Sequence, residues 1–303
     1  MSLNSNIRRV LFIILAALGL AACTQKEENT NGLWVWGAHM NEVDLDELAA
    51  KDFNTVFLHE KAFELHGTDS TVAFINLAHS KDLKVFVWVQ CLFGEDGWTS
   101  PVDDEHNCYK QDFIDALVSR AVRYAECGAD GIHLDYLHFG GTADEHNPSE
   151  EITSVGSITE ICRQMKEALK QVNPRIVLAG SVMPEPGRLD LYGQDPMQMG
   201  KYLDVLIPMV YFQNKGYKRS PKWAAGVIEF FVRNGAPARI WAGMTTYQDV
   251  VNNPVSPLTA DSVLEECKII VQTTHCSGLV LFRYGLGELP DLNGIWEEKT
   301  HKK

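Results

Sequence analysis

The sequence predicts a single-domain (β/α)8 TIM barrel, in which eight parallel strands alternate with helices and close into a ring. Eight short apolar or β-branched runs recur with helical patterns between them, which predicts a parallel sheet. Segments that lead from a strand to the next helix are long and rich in Gly, Pro, Asp and Asn, whereas the return segments are short. That asymmetry is typical of barrels, whose functional loops follow the strands. The alternative, an open dinucleotide-binding sheet, would need a GxGxxG after its first strand, which this sequence lacks.

Each predicted strand is a run of apolar and β-branched residues bounded by turn residues. In chain order the strands are Leu33–Gly37, Thr55–His59, Lys84–Gln90, Gly131–Leu137, Arg175–Met183, Val205–Phe212, Arg239–Thr246 and Gly278–Tyr284. Apolar residues at helical spacing predict the intervening helices. These are Asp44–Lys51, Thr71–Lys81, Gln111–Cys127, Ile158–Val172, Pro196–Tyr202, Pro221–Asn234 and Asp261–Thr274, with an eighth near Leu292–Lys299.

The N-terminus has the pattern of an export signal. Two arginines precede the apolar run Val10–Leu20, which is too short to be a good membrane span and is followed by two alanines. The sequence Leu-Ala-Ala-Cys that ends at Cys23 resembles the lipobox of bacterial lipoproteins, which implies that Cys23 becomes the lipidated N-terminus. We therefore expect a signal peptide over residues 1–22, a polar tether over 23–31 and the barrel over 32–303. The resemblance implies a protein held at the bacterial cell envelope by a lipid anchor in the membrane.

Composition excludes one class of partner. The formal net charge is −13, from 27 basic and 40 acidic residues, and no basic stripe is present. Nucleic acid is therefore not an expected partner, because nothing here would neutralise a row of phosphates. Cys91 and Cys108 lie at the two ends of one predicted loop and are the candidate disulfide pair, with free buried cysteines as the alternative.

Two acidic loops contain a histidine, at His106 and His146, and could be taken for sites that bind a hard cation. Neither has the regular ligand spacing of a calcium loop, so solvated acidic loops are favoured over a metal site. The sequence also lacks a Gly-rich phosphate loop, a serine nucleophile elbow and a nicotinamide fingerprint. No cofactor is therefore predicted.

The segment with the strongest functional pattern is the fourth predicted strand. There Ile132 and Leu134 alternate with His133 and Asp135, which is the period of a strand. Asp135 falls near the carboxyl end of the strand, where side chains of a barrel point into its mouth. Aspartate is unfavourable in strands, so a specific role is needed. Catalysis is one such role, and a structural carboxylate that caps the next loop or pairs with an arginine is the other.

Aromatic and polar residues gather at the carboxyl ends of the other strands. Aromatic faces stack on the C–H faces of sugar rings and polar groups bind hydroxyls, so the set suits a carbohydrate cleft better than a phosphate or metal site. Each aromatic taken singly could equally be core packing. The residues expected to bind substrate are Trp36, His59, Trp88, His133, Tyr136, Tyr211, Tyr247 and Arg283.

Three stretches carry a family resemblance, namely 130–136, 193–195 and 203–211. Together they resemble the glycoside-hydrolase-like barrels of exported bacterial lipoproteins and exopolysaccharide hydrolases. The resemblance implies a (β/α)8 fold, a sugar-polymer substrate and Asp135 as a catalytic carboxylate. The fourth strand also resembles the spaced acids of the chitinase-like family eighteen. Leu137-His138 stand where that pattern has its final Glu, which puts substrate-assisted cleavage of that kind in doubt.

Glycoside hydrolysis usually needs a second carboxyl group. Glu185, which alternates with Ser181 and Met183 at the end of the fifth strand, is the preferred partner, and an acid on each of strands four and five resembles several retaining barrel glycosidases. A solvent-facing loop glutamate is the alternative reading of Glu185, and the reserve carboxylates are Asp249, Glu60 and Asp195. If Asp135 is the ionised nucleophile or base, Glu185 needs a raised pKa to act as the acid. The competing function is a non-catalytic, glycan-binding lipoprotein.

Overall fold

The computed structural model describes residues 29–212, 219–248 and 255–299, without the side chain of Glu298. Eight parallel strands close into a barrel in which each strand pairs with its neighbours in the chain and the last pairs with the first. The strands are β1 Thr30–Val35, β2 Thr55–His59, β3 Lys84–Gln90, β4 Gly131–Asp135, β5 Val177–Val182, β6 Val205–Pro208, β7 Arg239–Thr245 and β8 Gly278–Phe282. The predicted (β/α)8 barrel is confirmed.

Helices cover the outside of the barrel. They are α1 Leu45–Ala50, α2 Lys61–Leu65, α3 Thr68–His79, α4 Gln111–Glu126, α5 Ser154–Val172, α6 Leu189–Tyr192, α7 Pro196–Met199, α8 Pro221–Asn234 and α9 Ala260–Thr273. The loop after β3 contains two small hairpins, one pairing Phe93–Gly94 with Gly97–Trp98 and the other pairing Val102–Asp103 with Cys108–Tyr109. A third joins Tyr247–Gln248 to Ser256–Pro257 after β7. The long loops are thus partly built as sheet.

Strand boundaries differ from the prediction where the backbone changes direction. β1 begins at Thr30, so the last two residues assigned to the tether belong to the barrel. β4 ends at Asp135 because Tyr136 adopts a left-handed conformation, with φ of 49°. β6 ends at Pro208. Beyond it the backbone forms tight turns, as shown by the hydrogen bond from the Tyr211 amide to the Met209 carbonyl.

Some helix boundaries also differ. α5 begins at Ser154, four residues earlier than predicted, because the Thr153 hydroxyl accepts the Gly156 amide as an N-cap. The helix predicted near Leu292–Lys299 is only the 3-10 turn Glu297–Lys299. Short helices α2 and α6 were not predicted, since segments of four or five residues are too short to show helical periodicity.

The barrel interior is filled by aromatic rings. Phe57, Phe86 and Trp241 meet there beside Trp34 and Trp88. Glycines on the adjoining strands make room for them. A Cβ added to Gly32 would lie 2.6 Å from the Phe57 ring, one at Gly131 2.6 Å from the Phe86 ring and one at Gly278 2.5 Å from the Trp241 indole. These distances are far below normal van der Waals separations, so only glycine leaves enough space for the large ring at each of these positions.

The candidate disulfide is not formed. Cys91 is a free, buried thiol, and Cys108 is a free, exposed thiol on the second hairpin of the β3 loop. Burial raises the pKa of the Cys91 thiol well above its usual value, which suppresses the reactive thiolate.

A thiol reagent should therefore distinguish the two cysteines. We expect iodoacetamide to modify Cys108 in the folded protein at least tenfold faster than Cys91, because the reagent reaches only the exposed thiolate. Peptide mass spectrometry after brief labelling measures this, with the denatured protein as the reference in which both react. Equal protection of both residues in the folded state, reversed by a reductant, would instead indicate a disulfide.

The predicted signal peptide and Cys23 lie outside the described residues. Within residues 29–212, 219–248 and 255–299, no helix combines the length and the apolar character needed to cross a membrane.

Candidate active site

Asp135, the last residue of β4, is half-buried, and both of its carboxyl oxygens accept hydrogen bonds. Its Oδ2 accepts a hydrogen bond from the Trp88 indole Nε1 at 2.9 Å, and its Oδ1 accepts one from the Tyr136 amide at 2.8 Å. Register places β3 beside β4 so that Gln90 is opposite Asp135 and the Trp88 side chain reaches across. Burial raises the pKa of Asp135, and the bonds from Tyr136, Trp88 and Ser181 oppose that rise. The result is a carboxyl group that holds its proton more readily than an exposed one.

The backbone at Tyr136 is part of this arrangement. Its φ of 49° is uncommon for a non-glycine residue and costs on the order of 1 kcal/mol. The conformation directs the amide at the preceding carboxyl group and swings the Tyr136 ring to the rim, where it stacks on Phe93 at 5.1 Å between ring centres. Strain of this kind concentrates at functional sites.

His133 lies below Asp135, inside the barrel. It has no exposed surface and packs against the rings of Trp34 and Phe57, 5.5 and 5.2 Å away. Its Nε2 lies 3.2 Å from the Ser181 hydroxyl, which in turn is close enough to hydrogen-bond to Asp135. Burial lowers the pKa of His133 to about 3, so the ring is neutral. His133 lies one layer beneath the mouth and reaches the site through Ser181, and its predicted contact with substrate stays a prediction.

Trp36, His59 and Trp88 form one wall of the mouth. Trp36 packs on His59 at 4.5 Å and on Trp88 at 4.7 Å, and the Arg283 guanidinium lies over the Trp36 ring at 5.5 Å. Trp36 is partly exposed, whereas His59 and Trp88 are buried. His59 Nδ1 accepts the Lys61 amide, and burial lowers the pKa of His59 to about 4. His59 and Trp88 therefore pack behind the partly exposed Trp36, and their predicted contacts with substrate stay predictions.

Tyr211, Tyr247 and Phe282 form a second aromatic group, which meets the first where Phe282 packs on Trp88 at 6.0 Å. Tyr211 stacks on Phe282 at 6.0 Å, and Tyr247 packs on the same ring at 6.2 Å. Burial raises the pKa of Tyr211 well above its usual value, and the negative charge of Asp135 adds to the rise. Asp135 therefore lies within electrostatic reach of Tyr211, and the roles predicted for Tyr136, Tyr211 and Tyr247 in binding substrate stay predictions.

Glu185 follows β5 and is neither free nor fully exposed. It forms an ion pair with Arg219, whose guanidinium also lies 4.5 Å over the Trp223 ring. One carboxylate oxygen, Oε2, is buried and accepts no hydrogen bond in the described structure. Glu185 is thus held in place by Arg219, which differs from a loop glutamate in solvent.

The reserve carboxylates have structural partners elsewhere. Glu60 faces a side cavity of about 850 Å³ between α2, α4 and the β3 loop, where it accepts the Gln90 amide at 2.8 Å and pairs with Arg120 at 3.2 Å. Asp195 caps α7 by accepting the Met197 amide. Asp249 lies outside the described residues.

In the two acidic loops each histidine contacts an aspartate. His106 contacts Asp103 at 2.9 Å and His146 contacts Asp104 at 2.7 Å. Over the ranges that the structure covers, no group of three or more His, Cys, Asp or Glu side chains is placed to hold a metal ion.

Gln194 is a residue of the site that sequence reasoning did not assign. It is buried, its Nε2 donates to the carbonyls of Leu137 at 3.0 Å and Ser181 at 3.3 Å, and its Oε1 accepts the Met183 amide at 2.9 Å. It therefore links the chain beyond β4 to the end of β5. The sequence indicated a role for Gln194 only through its place in 193–195, one of the three stretches that carry the family resemblance.

These features define a (β/α)8 barrel with a carboxyl group and aromatic walls at the mouth. No family model and no curated protein matches the sequence. Several solved structures share the fold, and three are described here. A class V chitinase from Pseudomonas fluorescens Pf-5 is similar with a TM-score of 0.65 and 16% identity, over 90% of this chain and 99% of that one.

The second similar structure is a glycoside hydrolase family 18 N-acetylglucosaminidase from Paenibacillus barengoltzii, with a TM-score of 0.60 and 15% identity over 86% of this chain and 96% of that one. The third is the PgaB (BpsB) glycoside hydrolase domain from Bordetella bronchiseptica, with a TM-score of 0.63 and 10% identity over 84% of this chain and 94% of that one. At these identities the similarity concerns the fold.

Proposed function

We propose that this protein is a glycoside hydrolase that cleaves a glycosidic bond in a polysaccharide or glycoconjugate. The observation that carries the proposal is Asp135, a half-buried carboxyl group at the carboxyl end of a barrel strand, with donors on both oxygens and aromatic side chains around it. A raised pKa is what a carboxylic acid needs in order to protonate a leaving oxygen near neutral pH. The glycoside hydrolases of similar fold support the same class of substrate.

The roles of the two acids follow from their surroundings. Asp135, with its raised pKa, donates its proton to the glycosidic oxygen as the bond from that oxygen to the anomeric carbon breaks. Glu185, which pairs with Arg219 at the end of β5, is the partner that attacks the anomeric carbon or removes a proton from water. This assignment reverses the roles first expected from the sequence, because burial raises the pKa of Asp135.

A glycan-binding protein without catalysis is the second candidate, and Leu137 favours it. This residue is fully buried at the place where the family eighteen pattern has its final acid. The same aromatic walls would then capture a polymer without cutting it. Incubation with a panel of soluble polysaccharides, followed by an assay for new reducing ends and mass spectrometry of products, separates the two candidates. Binding without products would support capture and contradict hydrolysis.

Trp88 provides a test of the acid role. Trp88→Phe removes a hydrogen bond that stabilises the Asp135 carboxylate, so the pKa of Asp135 should rise further. An acid is active while protonated, so activity is lost as pH rises through its pKa. The alkaline limb of kcat/KM should therefore move to higher pH by about one unit, the size expected for one bond to a charged group.

Trp241→Phe is the matched control. Trp241 is as buried as Trp88, at 2% exposed, but its Nε1 has no partner in the described structure. The pH profile of kcat/KM for Trp241→Phe should have the same acidic and alkaline limbs as that of the unmodified protein. Movement of the acidic limb in Trp88→Phe, with the alkaline limb unchanged, would assign Asp135 as a base.

We also propose that Cys23 anchors the protein to the bacterial cell envelope through a lipid, because Leu20, Ala21 and Ala22 precede it. Cys23→Ala should shift the protein from the membrane to the soluble fraction in its host, since the lipid chains that would hold it cannot be attached. Fractionation followed by immunoblotting measures this, with Cys108→Ser as a control that should stay in the membrane fraction. Unchanged fractionation of Cys23→Ala would contradict the anchor.

A further inference from the structure

The first hairpin of the β3 loop carries an exposed tryptophan beside the proposed active site. Trp98 is 45% exposed, whereas Trp34, Trp88 and Trp241 are each 2% exposed. The hairpin is tight, with Phe93 opposite Trp98 and Gly94 opposite Gly97. An exposed aromatic face of this size has an unfavourable contact with water, and such faces mark places where a ligand or partner covers them.

The indole is fixed in place and does not lie loosely on the surface. It packs on Phe93 at 5.0 Å, on His138 at 4.9 Å and on Tyr136 at 5.9 Å. We call these four side chains the rim platform. Its underside depends on Gly140, where an added Cβ would lie 2.8 Å from the Trp98 Nε1. Close approach of the backbone thus sets the position of the ring before any ligand binds.

The chemistry of the rim platform favours a neutral, ring-shaped ligand. His138 is buried, its Nδ1 donates to the Phe139 carbonyl at 2.7 Å, and burial lowers its pKa, so the platform carries no positive charge. The turn of the hairpin holds Asp96 and Glu95, and Glu95 pairs with Lys61 at 3.1 Å, so the turn adds no net positive charge that would attract an anion. Flat aromatic faces without charge bind the apolar C–H face of a sugar ring.

The platform is continuous with the catalytic carboxyl group. Tyr136 belongs to the platform through its ring and to the site through its amide, which donates to Asp135. We propose that the rim platform is a carbohydrate subsite with Trp98 as its main contact. It binds a neutral sugar unit of the polysaccharide whose scissile glycosidic bond lies at Asp135. The inference rests on the proposed function and specifies where the substrate extends from the point of cleavage.

Binding in the absence of cleavage tests this subsite. Affinity electrophoresis of the Asp135→Asn protein, in gels that contain glycol chitin, mannan or xylan, gives the apparent Kd for each polysaccharide. One of these polysaccharides is expected to retard the Asp135→Asn protein. Adding Trp98→Ala should raise the apparent Kd for that polysaccharide by about tenfold, as truncation of an aromatic contact typically does. Gly140→Ala, which displaces the indole without removing it, should weaken binding in the same direction. Leu77→Ala, at a side chain 53% exposed on α3, should change nothing.

Kinetics separates this inference from the proposed function. In the otherwise unmodified protein, Trp98→Ala should raise KM for the polymer by a larger factor than it lowers kcat. Polymer affinity that is unchanged in Trp98→Ala overturns the subsite and leaves hydrolysis untouched. Weaker binding in a protein that releases no products supports the subsite and overturns hydrolysis, whereas a parent protein that neither binds nor cleaves any of the polysaccharides overturns both.

Discussion

Asp135→Asn should lower kcat on a cleaved polysaccharide by roughly two to four orders of magnitude, the usual contribution of a general acid. Asparagine has the same shape but has no acidic proton to give to the leaving oxygen. Polymer binding should be preserved, since the walls of the mouth remain. The midpoint of thermal unfolding should not fall, because the substitution removes a carboxylate whose ionised form is disfavoured by burial.

Glu60→Gln is the control for that experiment. Glu60 is also buried and burial also raises its pKa, but it faces the side cavity and binds Arg120 and Tyr124. Its loss should leave turnover close to that of the unmodified protein. Glu185→Gln should lower turnover strongly if it is the partner of Asp135. Near-normal turnover in both Asp135→Asn and Glu185→Gln would remove these two residues from the mechanism.

The second large effect is expected on stability. Phe57→Ala should reduce the free energy of unfolding by about 3–5 kcal/mol, because it removes a fully buried ring from the barrel interior and leaves a cavity among Trp34, Phe86 and Trp241. Denaturant unfolding monitored by circular dichroism measures the change. Phe230→Ala, at a partly buried ring on α8, is the matched control and should cost clearly less.

A double variant makes this test specific to the barrel interior. Gly32→Ala alone should be destabilising, because its Cβ would lie 2.6 Å from the Phe57 ring. In the Phe57→Ala background the same substitution should cost much less, so the two changes should not be additive. Additive losses would show that the glycine and the ring do not share one space.

The arrangement of strands could be predicted well because apolar periodicity and loop lengths are local properties of the chain. β2 and β3 have the predicted boundaries, and Asp135 was found from alternation alone. Depth within the barrel was harder to predict. His133 and Asp135 share a strand face, but the barrel closes over the first and opens at the second, which depends on rings from Trp34 and Phe57 on other strands.

Roles that depend on contacts between different elements could not be predicted from the sequence. Trp98 lies in a hairpin of two-residue strands, which is too short for any periodicity, and its exposure depends on how the loop folds onto Gly140. Asp195 looked like a spare catalytic acid but caps a helix, a role that a short polar residue before Pro196 also fits. The ion pair of Glu185 joins residues 34 positions apart in the chain, so sequence spacing could not indicate it.

Gln194 has a consequence for the reaction itself. An amide side chain can donate two hydrogen bonds and accept others, and this one uses both abilities to join the chain after Asp135 to the chain before Glu185. The two loops that carry the proposed acids are therefore one mechanical unit, already ordered when substrate arrives. The conformational entropy of bringing them together is lost during folding, so binding energy need not be spent on it in each catalytic cycle.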